Sequence, residues 1–155
     1  MSIVALEEIR GFVRPGQRLL GLDLGEKTIG LALSDTTLSV ATPMQTLKRG
    51  KFGTNAAALL AIIHEHDVGG MVVGLPLNMD GSEGPSAQSA RAFARNFVKQ
   101  SDIAVAMMDE RLSTAAVTRT LIEADASRER RKDLVDKMAA AYILQTALDR
   151  LKNRG

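Results

Sequence analysis

The sequence predicts an α/β fold: a mixed five-stranded sheet, three antiparallel strands then two parallel, with helices on both faces. Three observations lead there. First, residues 18 to 47 hold three consecutive strand-like runs separated by tight turns. Second, the apolar period changes to near four after residue 54, where alanine-rich helical segments begin. Third, two short, almost wholly apolar runs at 69 to 76 and 103 to 110 alternate with those helices, as parallel strands covered on both faces do.

Each element follows from local composition. Residues 3 to 10, "IVALEEIR", read as a short helix, and "RPGQ" at 14 to 17 as the turn that closes this lead-in. Residues 18 to 24 form the first strand, "KTIGLALSD" at 27 to 35 the second after a turn at Gly25-Glu26, and "LSVATPMQTL" at 38 to 47 the third. A basic loop, "KRGKFG", leads to a helix at 54 to 66 and then to the apolar strand "GGMVVGLP". The turn-rich loop at 77 to 85 precedes a helix at 86 to 101, with Ser86 as its expected N-cap. The strand at 103 to 110 is followed by a helix at 113 to 125, a charged break at 126 to 132 and a final helix from about 133 to 152. The order βββαβαβαα is that of the ribonuclease H-like fold. The 155 residues suit a single domain, 1–155, with 1–16 as an N-terminal lead-in.

Composition narrows the function classes. Without cysteine there are no disulfides, thiolate zinc sites or thiol nucleophiles, and a reducing, cytoplasmic location is expected. No apolar run approaches the roughly 20 residues of a membrane span, and "MSIVALEEIRGFVRPGQ" lacks the features of a signal peptide. A net charge of +2 permits nucleic-acid binding. With 3% aromatics, such binding would lean on phosphates and shape rather than stacking.

Three acids stand where packing alone would not put them. Asp23 interrupts the apolar run "LLGLDLG". Alternation could turn it to solvent; if the strand is covered on both faces, the carboxylate needs a partner or a metal, and Gly25 and Gly30 leave room beside it. Glu110 follows "VAMMD" at the C-terminal end of a parallel strand, the edge where open α/β sheets bind ligands. Asp109, next to it, should point the other way, and spacing alone does not choose between the two. Asp136 falls on the helical stripe of Ala140, Ile143, Ala147 and Leu151. Asp133, one turn earlier, is accounted for by the helix dipole. Three carboxylates from two strand ends and one helix can converge on hard divalent cations, Mg²⁺ or Mn²⁺. Two such ions about 4 Å apart would stabilise an in-line phosphodiester displacement.

Four stretches, "LLGLDLGEKTIGLALSD", "VVGLPLNMDGSEG", "DERLST" and "VDKMAA", together resemble the YqgF (RuvX) family of RuvC-like nucleases over residues 18 to 150. The resemblance implies a metal-binding acidic triad of Asp23, Glu110 and Asp136, present in full. It implies an endonuclease that matures the 5′ end of pre-16S rRNA. The family is similar in fold to Holliday junction resolvases, so branched DNA is the alternative substrate.

Further candidates for nucleic-acid contact are Lys48 and Arg49 in "KRGKF", Asn78 and Ser82 in the loop before the second helix, Arg111, and Arg130, Arg131 and Lys132. Small basic clusters of this kind are also ordinary solvated surface. An ATP-binding phosphotransferase would share the Asp-x-Gly turn but needs a second domain, for which the chain has no room. A non-catalytic ribosome-assembly or nucleic-acid-binding factor is the third alternative, opposed by the intact triad. The partners expected are nucleic acid and no membrane, with the chain a monomer or weak homodimer.

Overall fold

The structure, a computed structural model, describes the backbone of residues 3–112 and 128–153 and the side chains of 3–111 and 137–152. The expected helix at 113 to 125 lies outside these residues. The elements are β1 (Ile3–Val4), β2 (Arg18–Leu24), β3 (Thr28–Ser34), β4 (Ala41–Lys48), α1 (Phe52–Glu65), β5 (Val68–Leu75), α2 (Pro85–Phe97), β6 (Ala104–Asp109) and α3 (Arg128–Asn153). Among the described residues the sheet has six strands in the order β1-β6-β5-β2-β3-β4. The hairpins β2–β3 and β3–β4 are antiparallel; β5 pairs parallel with both β2 and β6.

The sixth strand corrects the reading of the lead-in. Ile3 and Val4 pair parallel with Val105 and Ala106, and a 3-10 helix follows at Leu6–Phe12. Its Leu6 and Ile9 are buried, so these apolar residues go into the sheet's packing rather than onto an isolated helix. β4 starts at residue 41, not 38, because the Asp35 carboxylate takes the backbone N–H groups of Ser39 and Val40 at 2.7 and 3.0 Å. Those donors are then lost to any ladder. The N-cap of α2 is Gly84 rather than Ser86, with Pro85 at the first helical position, where its fixed φ suits the helix. α3 begins at Arg128, five residues earlier than expected, since Arg, Glu and Lys are good helix formers.

The sheet is covered on both faces, which is why β5 is buried along all eight residues. One face packs against α1 and α2, with Leu20, Leu22, Leu59, Val73, Phe93 and Phe97 in the cluster. The other packs against α3 through Leu19, Val72, Ala140, Ile143, Leu144 and Ala147. The alternation along β2 and the 3–4 spacing along α3 produce these two sets.

α3 sits unusually close to β2. A Cβ built on Gly21 would lie 2.8 Å from Leu144 Cβ and 3.2 Å from the Ala140 carbonyl oxygen. Gln145 ties the same helix to the start of β4, accepting from the Ala41 N–H at 2.8 Å and donating to the Ser39 carbonyl at 2.9 Å.

Two predictions follow from this packing and from the Asp35 turn. Gly21→Val forces α3 off the sheet and lowers stability by about 1–3 kcal/mol in chemical denaturation; an unchanged midpoint would contradict the close seat. The Asp35 carboxyl is lowered from 3.8 to about 2 by the Thr37 hydroxyl, then by the Val40 and Ser39 N–H groups. A depressed folded pKa stabilises above the unfolded value. The melting-temperature advantage of wild type over Asp35→Ala should therefore be full above pH 3.8 and fade as pH falls through about 2. An advantage that grows on acidification would refute it.

Candidate active site

The site lies at the C-terminal edge of β2, β5 and β6. Asp23 is two residues past Gly21, so alternation puts it on the α3 side of β2. It is 7% exposed, because both faces of the strand are covered. The solvent-facing alternative is thereby excluded.

Register brings the neighbouring strands level. Leu22 pairs with Val73, and Gly74 pairs with Met108. A Cβ on Gly74 would meet Ile143 Cδ1 at 2.6 Å, Glu110 Oε1 at 3.0 Å and Glu110 Cγ at 3.1 Å. The Glu110 side chain thus lies over Gly74, on the α3 side, and its Oε1 is buried. A glycine within an apolar strand is the sequence signal for such a close approach, and "VVGLP" carried it.

Asp109 takes the other direction. Its carboxylate accepts from Arg111: the backbone N–H at 2.9 Å, Nε at 3.1 Å and Nη2 at 2.7 Å. The Arg111 guanidinium holds the Asp109 carboxyl below the usual carboxylate range, and Asp109 in turn raises Arg111. This closes the 3-10 turn Glu110–Leu112 and directs the next side chain, Glu110, inward. Of the two adjacent acids, Glu110 is the one that faces the α3 side with Asp23.

α3 runs antiparallel to β2. Leu151, near its C-terminus, accepts a bond from Arg10 in the lead-in, while Ala140 and Leu144 rest on Gly21. Asp136 stands one turn before Ala140 on this helix, toward the edge that carries Asp23; its side chain lies outside the described ones. The side chains of Arg130, Arg131 and Lys132 also lie outside them. Among the described residues, no group of three or more His, Asp or Glu side chains gathers with metal-binding geometry.

The other candidates divide by what they bond. Asn78 Nδ2 donates to Ser82 Oγ at 2.9 Å, and Ser82 donates from N and Oγ to Asp80 Oδ1 at 2.9 and 2.6 Å. The loop after β5 is thus tied to itself, and Arg111 Nη1 ties it to β6 through the Met79 carbonyl at 3.2 Å. Lys48 is exposed. Arg49 is half-buried and bonds Gly25 and Ser89, at the mouth of an open depression of about 390 Å³ beside the β2–β3 turn. The sequence offered no signal for that connection, since the three residues are far apart in the chain.

Comparison with known proteins agrees with this architecture. Two curated relatives carry the description "Putative pre-16S rRNA nuclease". The one from Ruegeria pomeroyi is 55% identical over 99% of both chains. The one from Paramagnetospirillum magneticum is 58% identical over 96% of both. Among solved structures, Thermus thermophilus RuvC in complex with a Holliday junction substrate matches with a TM-score of 0.54 at 15% identity, over 88% of this chain and 96% of that one. The yeast mitochondrial Holliday junction resolvase matches with a TM-score of 0.50 at 12% identity, over 96% and 86%. At these identities the likeness is one of fold, the ribonuclease H-like fold of RuvC. The sequence model of RuvX, described as Holliday junction resolvase, matches residues 17–150, from β2 through most of α3, and the chain belongs to the RuvX family.

Proposed function

We propose that this chain is a metal-dependent endonuclease of structured nucleic acid whose substrate is the 5′ end of pre-16S rRNA. One observation carries the reading: Asp23 and Glu110, from strands two places apart, share the α3 side of one sheet edge, with Gly74 leaving room between them. The description of the full-length relatives supports the RNA substrate.

The residues fit a hard divalent cation. The donor set is carboxylate oxygen alone, and the chain has no cysteine to compete for a softer metal. Asp23, Glu110 and, from α3, Asp136 would hold Mg²⁺ or Mn²⁺. When bound in a pair, such cations stabilise the attacking and leaving oxygens of an in-line phosphodiester displacement. The chain's residues supply placement. The Asp109–Arg111 pair holds the turn that carries Glu110, and the close seat of α3 on Gly21 would bring Asp136 toward Asp23. The exposed Lys48 and Arg111, with Arg130, Arg131 and Lys132, would meet the phosphate backbone; Asn78 and Ser82 would shape the loop beside it.

A second reading, cleavage of four-way DNA junctions, is favoured by the description of the family model. It requires two symmetric sites and hence a dimer.

A cleavage assay on a pre-16S fragment and on a four-way junction, with Mg²⁺ or Mn²⁺ and with chelator, separates these readings. RNA is expected to be cut only with metal, and Asp23→Asn should lower the rate at least about a hundredfold. Wild-type cleavage by Asp23→Asn would sink the metal mechanism. Preferential cutting of the junction would favour the second reading. Asp136→Ala should lose cleavage while keeping or gaining metal-free thermal stability, because one of several like charges is removed. A large loss of stability would mark Asp136 as structural instead.

A further inference from the structure

Arg49 joins three parts of the chain. Its backbone N–H donates to the Lys27 carbonyl at 2.9 Å, Nη1 to the Gly25 carbonyl at 2.7 Å and Nη2 to Ser89 Oγ at 2.7 Å. The first two bonds close on the β2–β3 turn; the third reaches α2. Gly25 lies two residues past Asp23. Its own N–H donates to the Thr28 carbonyl at 2.8 Å, and a Cβ there would stand 3.0 Å from that oxygen.

This matters because β2 loses a neighbour just where the acid begins. Pairing with β5 runs as far as Leu22 and Val73, while pairing with β3 continues through Asp23 and Leu24. From Asp23 onward the register that continues is the one with β3. Glu110 opens the 3-10 turn that follows β6, the strand two places away across β5. The separation of the two carboxylates is therefore sensitive to what holds the tip of the hairpin. Among the described residues, Arg49 bonds both this tip, at Gly25, and α2, at Ser89.

Building on the nuclease reading, we infer that Arg49 is a positioning residue of the acidic site: its guanidinium fixes the turn after Asp23 against α2 and so sets Asp23 relative to Glu110. An arginine suits the task because its planar fork reaches two acceptors on different elements at once, which an ammonium cannot do in the same geometry. A residue whose only role was to attract phosphate would be replaceable by lysine and would act on substrate affinity.

The test compares Arg49→Ala, Arg49→Lys and Ser89→Ala with wild type, measuring kcat, KM and Mn²⁺ affinity by titration. Arg49→Ala and Arg49→Lys should both lower kcat and weaken Mn²⁺ binding by about tenfold or more, with KM within about threefold of wild type. Ser89→Ala, which removes only the bond to α2, should lower kcat by a smaller factor of about three. A full rescue by lysine, or a rise in KM at unchanged kcat, makes Arg49 a substrate contact and overturns the inference. If Arg49→Ala does not fold, an unchanged kcat in Ser89→Ala overturns it. Should wild type cut neither substrate, the nuclease reading falls on its own. The clasp is then judged by Mn²⁺: weaker binding in Arg49→Lys and Ser89→Ala upholds it, while equal binding, or none by wild type, rejects it.

Discussion

The seating of α3 on the backbone of β2 is the constraint on which the rest of the structure depends. At Gly21 a methyl group is already too much, with Leu144 Cβ 2.8 Å from where it would stand. This contact does more than bury area. A strand repeats every two residues and a helix every 3.6, so one fixed point of contact determines what comes next along both axes. Two residues on from Gly21 in β2 is Asp23; four residues back from Ala140 in α3 is Asp136. A one-residue slip of β2 would send Asp23 to the other face of the sheet. Gly74 applies the same device one strand over, where the absence of a side chain admits both Ile143 and the Glu110 carboxylate.

The two faces of the sheet consequently do different work. The α1–α2 face is filled with large side chains, among them Leu59, Met71 and Phe97, all fully buried. Phe93 packs edge-on to Phe52 and stacked on Phe97, at centroid distances of 5.2 and 6.2 Å. Each such side chain contributes about 1.5–3 kcal/mol on burial. On the α3 face Ala139, Ala140, Ala141 and Ala147 are buried beside Leu19, Ile143 and Leu144. The alanines let the helix approach closely, and tolerance to change should be lowest at Gly21, where an added carbon meets Leu144 and the Ala140 carbonyl.

Much of this was legible in the sequence, and the rest was hidden for physical reasons. β2 is found at residues 18–24 as read, because alternation and an apolar run bounded by turn residues leave little choice. Asp23 and Glu110 were legible as oddities, being charges in places that packing alone does not favour. The choice between Asp109 and Glu110 was not legible, since it depends on the Asp109–Arg111 pair, a side-chain bond that spacing does not reveal. β1 was missed because a two-residue strand has no period to detect; it exists only through pairing with β6. The early start read for β4 missed the Asp35 turn, where a side chain competes with the ladder for N–H groups. Arg49 was read as a candidate nucleic-acid contact, and its tie within the fold was not legible because its partners lie 24 and 40 residues away.

Charge at the acidic edge shows how little the net value of +2 says about local fields. Asp23 and Glu110 carry negative charge to the place that a polyanion would have to approach. Arg111 contributes little against this, because Asp109 matches it at 2.7 Å. Arg49 is different: the acceptors of its two side-chain bonds are a carbonyl and a hydroxyl, both neutral. The two side-chain bonds together fix the direction of its planar fork. The fold therefore directs this cation at the Gly25 carbonyl, two residues past Asp23 in the chain. An arginine is needed at this place because its planar fork reaches the Gly25 carbonyl and the Ser89 hydroxyl at once, which a lysine ammonium does not do in the same geometry.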